Sequence, residues 1–297
     1  MLELNTRKKD ISVVFLMWIP YGFDYFCRFM ESYLKFHAGV EHELVIFFNG
    51  AEKKENIAQY EQWMEINNIN FSSRCILEKR QDLDVYFYAA SLLSRKYICF
   101  LNTASVIFTD KWLLKLCSGI NQPNAGIAAA TGSMESHLNW TLLGENWQWK
   151  QNISPVSNLR NWAYWTKMLL FWSFYTKPFP NPHLRTNAFI IERSLFLSLH
   201  RGKLDNKKDA YRLESGNQSI SRQILQKGFD LLIVGKDGKA YRMEEWNAAN
   251  VYRASIQENL LIGDNQTRTF EEADGKRKKF LSKMAWGKDS HKQTGNE

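Results

Sequence analysis

The stretch KYICFLNTASVIFTDKWL, Lys96 to Leu113, decides how the chain is read. Its first part, Tyr97–Leu101, is a short apolar run with polar flanks, which predicts a parallel strand covered on both faces. Asn102, Thr103 and Ser105 form a polar strand end. Thr109 is expected to open a helix carrying Trp112, Leu113 and Leu116. Ligands of open α/β sheets gather at the carboxyl ends of the strands, so Asn102–Ser105 is where chemistry is expected first. Ordinary turn chemistry at a strand end would explain the same residues.

Working outward, Ile11–Trp18 and Glu43–Phe48 read as strands from their β-branched and apolar content. Pro20 and Gly22 close the first, and Phe23–Phe36 follows with helical spacing. A polar helix is expected from about Lys53 to Asn67, a short strand at Arg74–Leu77 and a helix at Asp84–Ser94. Ala125–Ala130 reads as a further strand, ending in Thr131-Gly132-Ser133. Strands alternating with helices predict βαβ units and a mostly parallel sheet. Later, Asn187–Ile191 and Asp230–Val234 return as strands. Ser215–Gly228 is expected as one helix, because Ser215 with Gln218 fits a capping box. The segment Phe270 to Trp286 is basic and amphipathic, and Lys288–Glu297 is a polar tail expected to be disordered.

The pattern changes near Asn139. Six of the 11 tryptophans fall between Trp140 and Trp172. Asn161–Thr176 predicts an aromatic helix, apolar most of the way round but too short to span a bilayer. It reads either as a core helix of an inserted subdomain or as an interfacial helix flanked by Arg160, Lys167 and Lys177, with Trp165 and Trp172 toward lipid. No linker divides the chain, so residues 1–287 are expected to form one domain with an insertion at about 139–180.

The chain has 297 residues, a formal net charge of +8 and 14% aromatic residues. The charge suits an anionic ligand, an anionic membrane face or simply a solvated basic surface. The basic residues form no stripe and no nucleic-acid motif is present, so no nucleic-acid partner is expected. Cys27, Cys75, Cys99 and Cys117 have no CxxC spacing and read as free thiols of a reducing compartment. No signal-peptide core and no apolar run of spanning length is seen, which predicts a cytoplasmic protein, with peripheral contact at the membrane's cytoplasmic face as an option.

Seven segments in order then carry a resemblance: FMESYLKFHAGVEHELVIFFNG (Phe29–Gly50), DLDVYFYAA (Asp82–Ala90), FLNTAS (Phe100–Ser105), ATGSMES (Ala130–Ser136), FPNPHLRTNAFIIER (Phe179–Arg193), ESGNQSISRQ (Glu214–Gln223) and QENLLIGDNQTR (Gln257–Arg268). Together they resemble a GT-A-fold bacterial glycosyltransferase, related to the large inverting family that builds cell-surface polysaccharides. The resemblance implies a GT-A-like (Rossmann-like), mostly parallel sheet flanked by helices, with an aromatic-rich helical insertion and a helical C-terminal extension. It implies a nucleotide-sugar donor and a glycan or lipid-linked acceptor. The wider superfamily places Asp-x-Asp at the end of the central strand to hold a divalent ion. Here Asn102-Thr103-Ala104 stands there, so no metal ligand is assigned, although Mn or Mg remains an option as cofactor. Without a metal, Arg185, Arg268 or Lys236 would have to neutralise the leaving diphosphate.

The resemblance places the catalytic base at Glu214, and a surface glutamate at a helix start is the alternative, where the helix dipole would lower its pKa. His183 is a second candidate base, with an unperturbed pKa suited to neutral pH. Donor-side candidates are Pro20, Asp84, Asn102, Thr103, Ser105 and Arg268, with Tyr21, Asp264 and Asn265 nearby. Asp84 could equally be a helix N-cap. Acceptor- or phosphate-side candidates are Gly132, Ser133, Glu135, Arg185 and Asn187, for some of which a hydrogen-bonded loop brace is the plainer reading. A non-catalytic GT-A-like protein that binds a nucleotide or glycan is the rival function.

Overall fold

A computed structural model describes residues 10–139 and 166–287. Its centre is an eight-stranded sheet in the order β3-β2-β1-β4-β9-β6-β10-β11. The strands are β1 (Ile11–Trp18), β2 (Glu43–Asn49), β3 (Ser72–Ile76), β4 (Tyr97–Leu101), β6 (Ala125–Ala129), β9 (Ala188–Glu192), β10 (Asp230–Val234) and β11 (Ala240–Tyr241). β3, β2, β1 and β4 run parallel, as do β6 and β10. β9 lies antiparallel between β4 and β6, and β11 is antiparallel at the edge. Two small ribbons complete the strands: β5 (Val106–Ile107) with β12 (Ile262–Gly263), and β7 (Gly132–Ser133) with β8 (His183–Leu184).

The unbroken apolar runs follow from this layering. Along β1, Val14 and Leu16 face one core while Val13, Phe15 and Met17 face the other, all of them fully buried. The first core is closed by helix α3 (Asp82–Leu92) and by the helices Arg193–Leu197 and Ile220–Gln226. The second is closed by α1 (Phe23–Lys35), α2 (Ala58–Ile66) and α4 (Trp112–Ile120). Phe15 stacks on Phe29 of α1 with ring centroids 3.7 Å apart. Truncating such a side chain to alanine costs about 3–5 kcal/mol.

Several local expectations need correction. Thr109 does not open α4. The helix begins at Trp112 after Lys111, which adopts a left-handed conformation, and Asp110 accepts a hydrogen bond from the His37 backbone N–H. Asp84 is not a cap: Gln81 holds that position and Asp84 lies in the first turn of α3. The helix expected over Ser215–Gly228 is two helices. Lys207–Ser215 ends where Ile220–Gln226 has yet to start, and Ser219 caps the second one. The break falls at Gly216, where a Cβ would meet the Arg212 carbonyl oxygen at 2.4 Å and the Tyr175 carbonyl oxygen at 2.9 Å. Of the expected aromatic helix, residues 166–175 are helical, whereas Trp165, the rest of the insertion between 140 and 165, and the tail 288–297 lie outside the described residues. Among the described residues, no helix is long and apolar enough to cross a membrane.

Candidate functional site

The antiparallel placement of β9 brings its beginning to the end of β4. The Asn187 carbonyl accepts from the Asn102 backbone N–H at 2.9 Å and from the Ser105 hydroxyl at 3.0 Å. One residue earlier, Thr186 donates to Glu214 Oε1 through its hydroxyl at 3.1 Å and its backbone N–H at 3.4 Å. Glu214 sits in the last turn of the helix Lys207–Ser215, so the dipole of a helix start does not act on it. A short hydrogen-bonded chain thus ties a half-buried carboxylate to the carboxyl end of the central strand.

On one side of Glu214 stands the first turn of α3. Tyr86 Oη reaches the Thr186 carbonyl at 3.4 Å, and Asp82 lies one turn earlier on the same helix face. Asp82 is exposed to solvent, with protein crowding it from the side of Glu214. That crowding, and then the charge of Glu214, push its carboxyl up to about 6. Asp84 is engaged otherwise: Arg201 and Arg80 both pair with it, Arg80 at 3.9 Å. Buried Asn49 at the end of β2 clamps the Arg80 backbone in both directions, at 2.8 and 3.1 Å, and so fixes the entry to α3.

On the other side lies His137, stacked on Trp172 at 4.5 Å and tilted against Tyr211 at 4.7 Å. Burial pushes its imidazole down to about 4, against an opposing influence from Glu214. His183 is buried, its Nδ1 2.8 Å from the Asn181 carbonyl.

Beyond Asp82 lie the turn after β1 and the segment that carries Arg268. Pro20 is exposed there. Tyr21 packs on Tyr25 at 4.9 Å, and crowding followed by the charge of Asp82 raises its hydroxyl pKa. The Arg268 guanidinium lies 5.9 Å from the Tyr25 ring and donates to Asn265 at 2.6 Å. Arg268, Tyr25, Tyr21, Asp82 and Glu214 therefore form a run of successive neighbours.

The remaining candidates serve the frame. Thr103 donates to the Leu16 carbonyl and accepts from Trp18 N–H, both at 2.8 Å, joining β4 to β1. Asn102 Oδ1 accepts from the Ala104 N–H and the Ser105 hydroxyl, each at 3.1 Å. Asn187 Oδ1 accepts from Thr131 at 2.8 Å. Gly132 is a packing position, since a Cβ would meet Ile233 at 2.9 Å. Ser133 donates to Glu135 at 3.0 Å, and Glu135 pairs with Arg253. Burial opposes the Glu135 charge, but Arg253 and Arg185 outweigh it and hold the carboxyl below its usual range.

Arg185 is engaged within the protein. It is bound by two hydrogen bonds, 2.8 and 3.3 Å, to Asp264, and lies 4.4 Å over the Tyr252 ring. Asp264 at the same time caps the helix Asn265–Glu272 through the N–H groups of Gln266 and Thr267. Lys236 is on the exposed turn after β10, its carbonyl taken by Lys115 at 2.7 Å, with no tie to Glu214.

The residues at the end of β4 do not suit a divalent ion. They offer no carboxylate, and the amide oxygen of Asn102 already accepts two local hydrogen bonds. Among the described residues, no group of three or more His, Cys, Asp or Glu side chains is arranged to hold a metal. The sequence reading passed over Asp82, His137, Tyr25 and Asn49. Asp82 had a signal, as the first residue of the DLDVYFYAA segment; His137 and Asn49 acquire meaning only from tertiary neighbours.

No protein-family profile and no curated protein matches the chain. It is similar to several solved structures. GalNAc-T7 with UDP, GalNAc and Mn2+ superposes with a TM-score of 0.47 and 15% identity over 80% of this chain and 44% of that one. The mannosyltransferase PcManGT from Pyrobaculum calidifontis, with GDP-Man and Mn2+, gives 0.48 and 11% over 83% and 61%. TarS residues 1–349 from S. aureus with UDP-GlcNAc gives 0.32 and 15% over 41% and 33%. The chain thus spans 33% to 61% of the length of these proteins.

Proposed function

We propose that the chain is a glycosyltransferase that moves a sugar from a nucleotide-sugar donor to a hydroxyl of a glycan or lipid-linked acceptor, with inversion, in cell-surface polysaccharide synthesis. The observation that carries this reading is the chain from Asn102 through Asn187 and Thr186 to Glu214, which sets a carboxylate beside the end of the central strand. In the reaction, a Glu214 carboxylate oxygen takes the proton of the acceptor hydroxyl as that oxygen attacks the anomeric carbon. The bond from that carbon to the diphosphate breaks, and the electron pair leaves with the nucleoside diphosphate. Arg268, beside Tyr25, is the cation that faces the developing charge, and the tyrosines frame the donor. No step is assigned to a metal. The enzyme would act at the cytoplasmic face of a membrane where its acceptor is lipid-linked.

The test is Glu214→Gln, followed by sugar transfer and by nucleotide-dependent thermal stabilisation. Turnover is expected to vanish while the nucleotide shift, unaffected by EDTA, is kept. Full activity in the variant would remove Glu214 from the mechanism. The rival reading, a nucleotide- or glycan-binding protein without catalysis, is favoured by the turn at Asn102-Thr103-Ala104 where the superfamily has two carboxylates. It expects binding with neither transfer nor donor hydrolysis over a broad acceptor panel.

A further inference from the structure

The helical residues 166–175 divide sharply by face. Trp172 is 5% exposed and stacked on His137, so it cannot be the lipid-facing residue that the sequence suggested. Phe171 and Tyr175 are half-buried, and Lys208 and Arg212 of the neighbouring helix Lys207–Ser215 lie over their rings at 5.1 and 4.1 Å. The outward stripe is different. Leu170 is 56% exposed and Phe174, one turn later, is 75% exposed. Exposed Lys167 precedes Leu170 by three positions on the helix, and exposed Lys177 lies just past the helix end, three positions after Phe174. Residues 166–177 contain no acidic side chain. On the flank, Asp209 is paired with Arg212 at 3.5 Å, leaving the margin cationic through Lys208.

We infer that this stripe is a docking surface for an anionic lipid bilayer, with Leu170 and Phe174 entering the acyl boundary and Lys167, Lys177 and Lys208 meeting lipid phosphates. Two apolar side chains with cations around them give weak, reversible, charge-dependent binding of a helix lying in the interface plane. A protein partner would be expected to meet a larger apolar patch than two side chains supply. The placement serves the reaction. Tyr211, on the helix that carries Glu214, touches both Trp172 and His137, so the docked surface lies about one helix diameter, ~10 Å, from the carboxylate. A lipid-linked acceptor would present its head group there. The inference names the surface for the membrane contact in the reading above, and its test needs no sugar transfer, so the two fail separately.

The experiment is vesicle co-sedimentation of the full chain with phosphatidylcholine vesicles, with and without about one third phosphatidylglycerol, at low and high salt. Binding to the anionic vesicles, weakened by salt, is expected. Leu170→Ser with Phe174→Ser should lower the partition more than tenfold, as two lost insertions of a few kcal/mol in total require. Lys167→Glu with Lys177→Glu should abolish the preference for anionic lipid. These side chains are exposed, so unchanged melting temperatures will show that the variants are folded. Absence of binding by the intact protein, or unchanged binding by the serine variant, overturns the inference. So does a wild-type dimer that the serine variant dissociates, because the stripe would then cover a second copy.

Discussion

Removing the Asp264 carboxylate should damage the protein far more than its place on a short C-terminal helix suggests. Asp264 is 6% exposed and is the counter-ion of Arg185, whose side chain is 12% exposed. Burial opposes the guanidinium charge, but Asp264 outweighs it and holds the pKa above the ordinary arginine value. Breaking a buried pair by deleting one partner costs about 3–5 kcal/mol, because the other charge stays behind. Loss of the cap over Gln266 and Thr267 adds about 1 kcal/mol. Asp264→Ala should therefore lose about 4–6 kcal/mol, a large share of the 5–15 kcal/mol available to a typical domain. Asp264→Asn keeps an acceptor for the cap and should lose about 3–4 kcal/mol. Combining Asp264→Leu with Arg185→Met removes both charges and should recover most of the loss, short of the cap and the stacking on Tyr252. Urea unfolding of the wild type, the three single variants and the double variant measures this directly. A loss below about 1 kcal/mol in Asp264→Asn, or a double variant no more stable than Asp264→Leu alone, would refute the reasoning.

His137, pushed down to about 4, stays neutral in the folded protein while the unfolded chain takes up a proton near 6.5, so stability should fall as the pH drops from 6.5 toward 4 and be flat above. His137→Phe keeps the stack and should remove that slope, up to about 3 kcal/mol by pH 4; a melting curve with the same slope in both proteins would contradict this. Asp82 has the opposite sign: its raised carboxyl stabilises the fold below about 4, and that contribution is lost as the pH rises through about 6. Asp82→Asn should thus gain melting temperature over the wild type above pH 6 and not below pH 4, and a pH-independent difference would count against the pairing with Glu214. Gly216→Ala forces a Cβ to within 2.4 Å of a backbone oxygen, so a loss of at least about 2 kcal/mol is expected in urea unfolding, and a neutral result would mean the two helices part easily.

The sheet was legible because β1, β2, β4 and β10 are apolar on both faces, a pattern no solvent-exposed helix shows. Glu214 was legible as a residue but not in its setting. Ser215 and Gln218 have the spacing of a capping box, and only the approach of the Tyr175 carbonyl to Gly216 shows that the chain breaks there. The ion pair of Arg185 was not legible, because its partner, Asp264, lies 79 positions away. Asp82 and His137 owe their altered acidity first to burial, with Glu214 adding to the shift of Asp82 and opposing that of His137, and this meeting depends on helix packing rather than on any local pattern.

The antiparallel strand β9 also governs the order in which the protein can be made. Among the described residues it is the strand that joins β4 to β6, and it is synthesised after both. Until Ala188–Glu192 leave the ribosome, the first four strands form a half-sheet with an open, apolar edge at β4, and β6 has nowhere to dock. Closing contacts of such sequence separation are slow, and an open edge invites pairing with other nascent chains. Folding should therefore switch late from two fragments to one body, and fragments ending before Ala188 should aggregate.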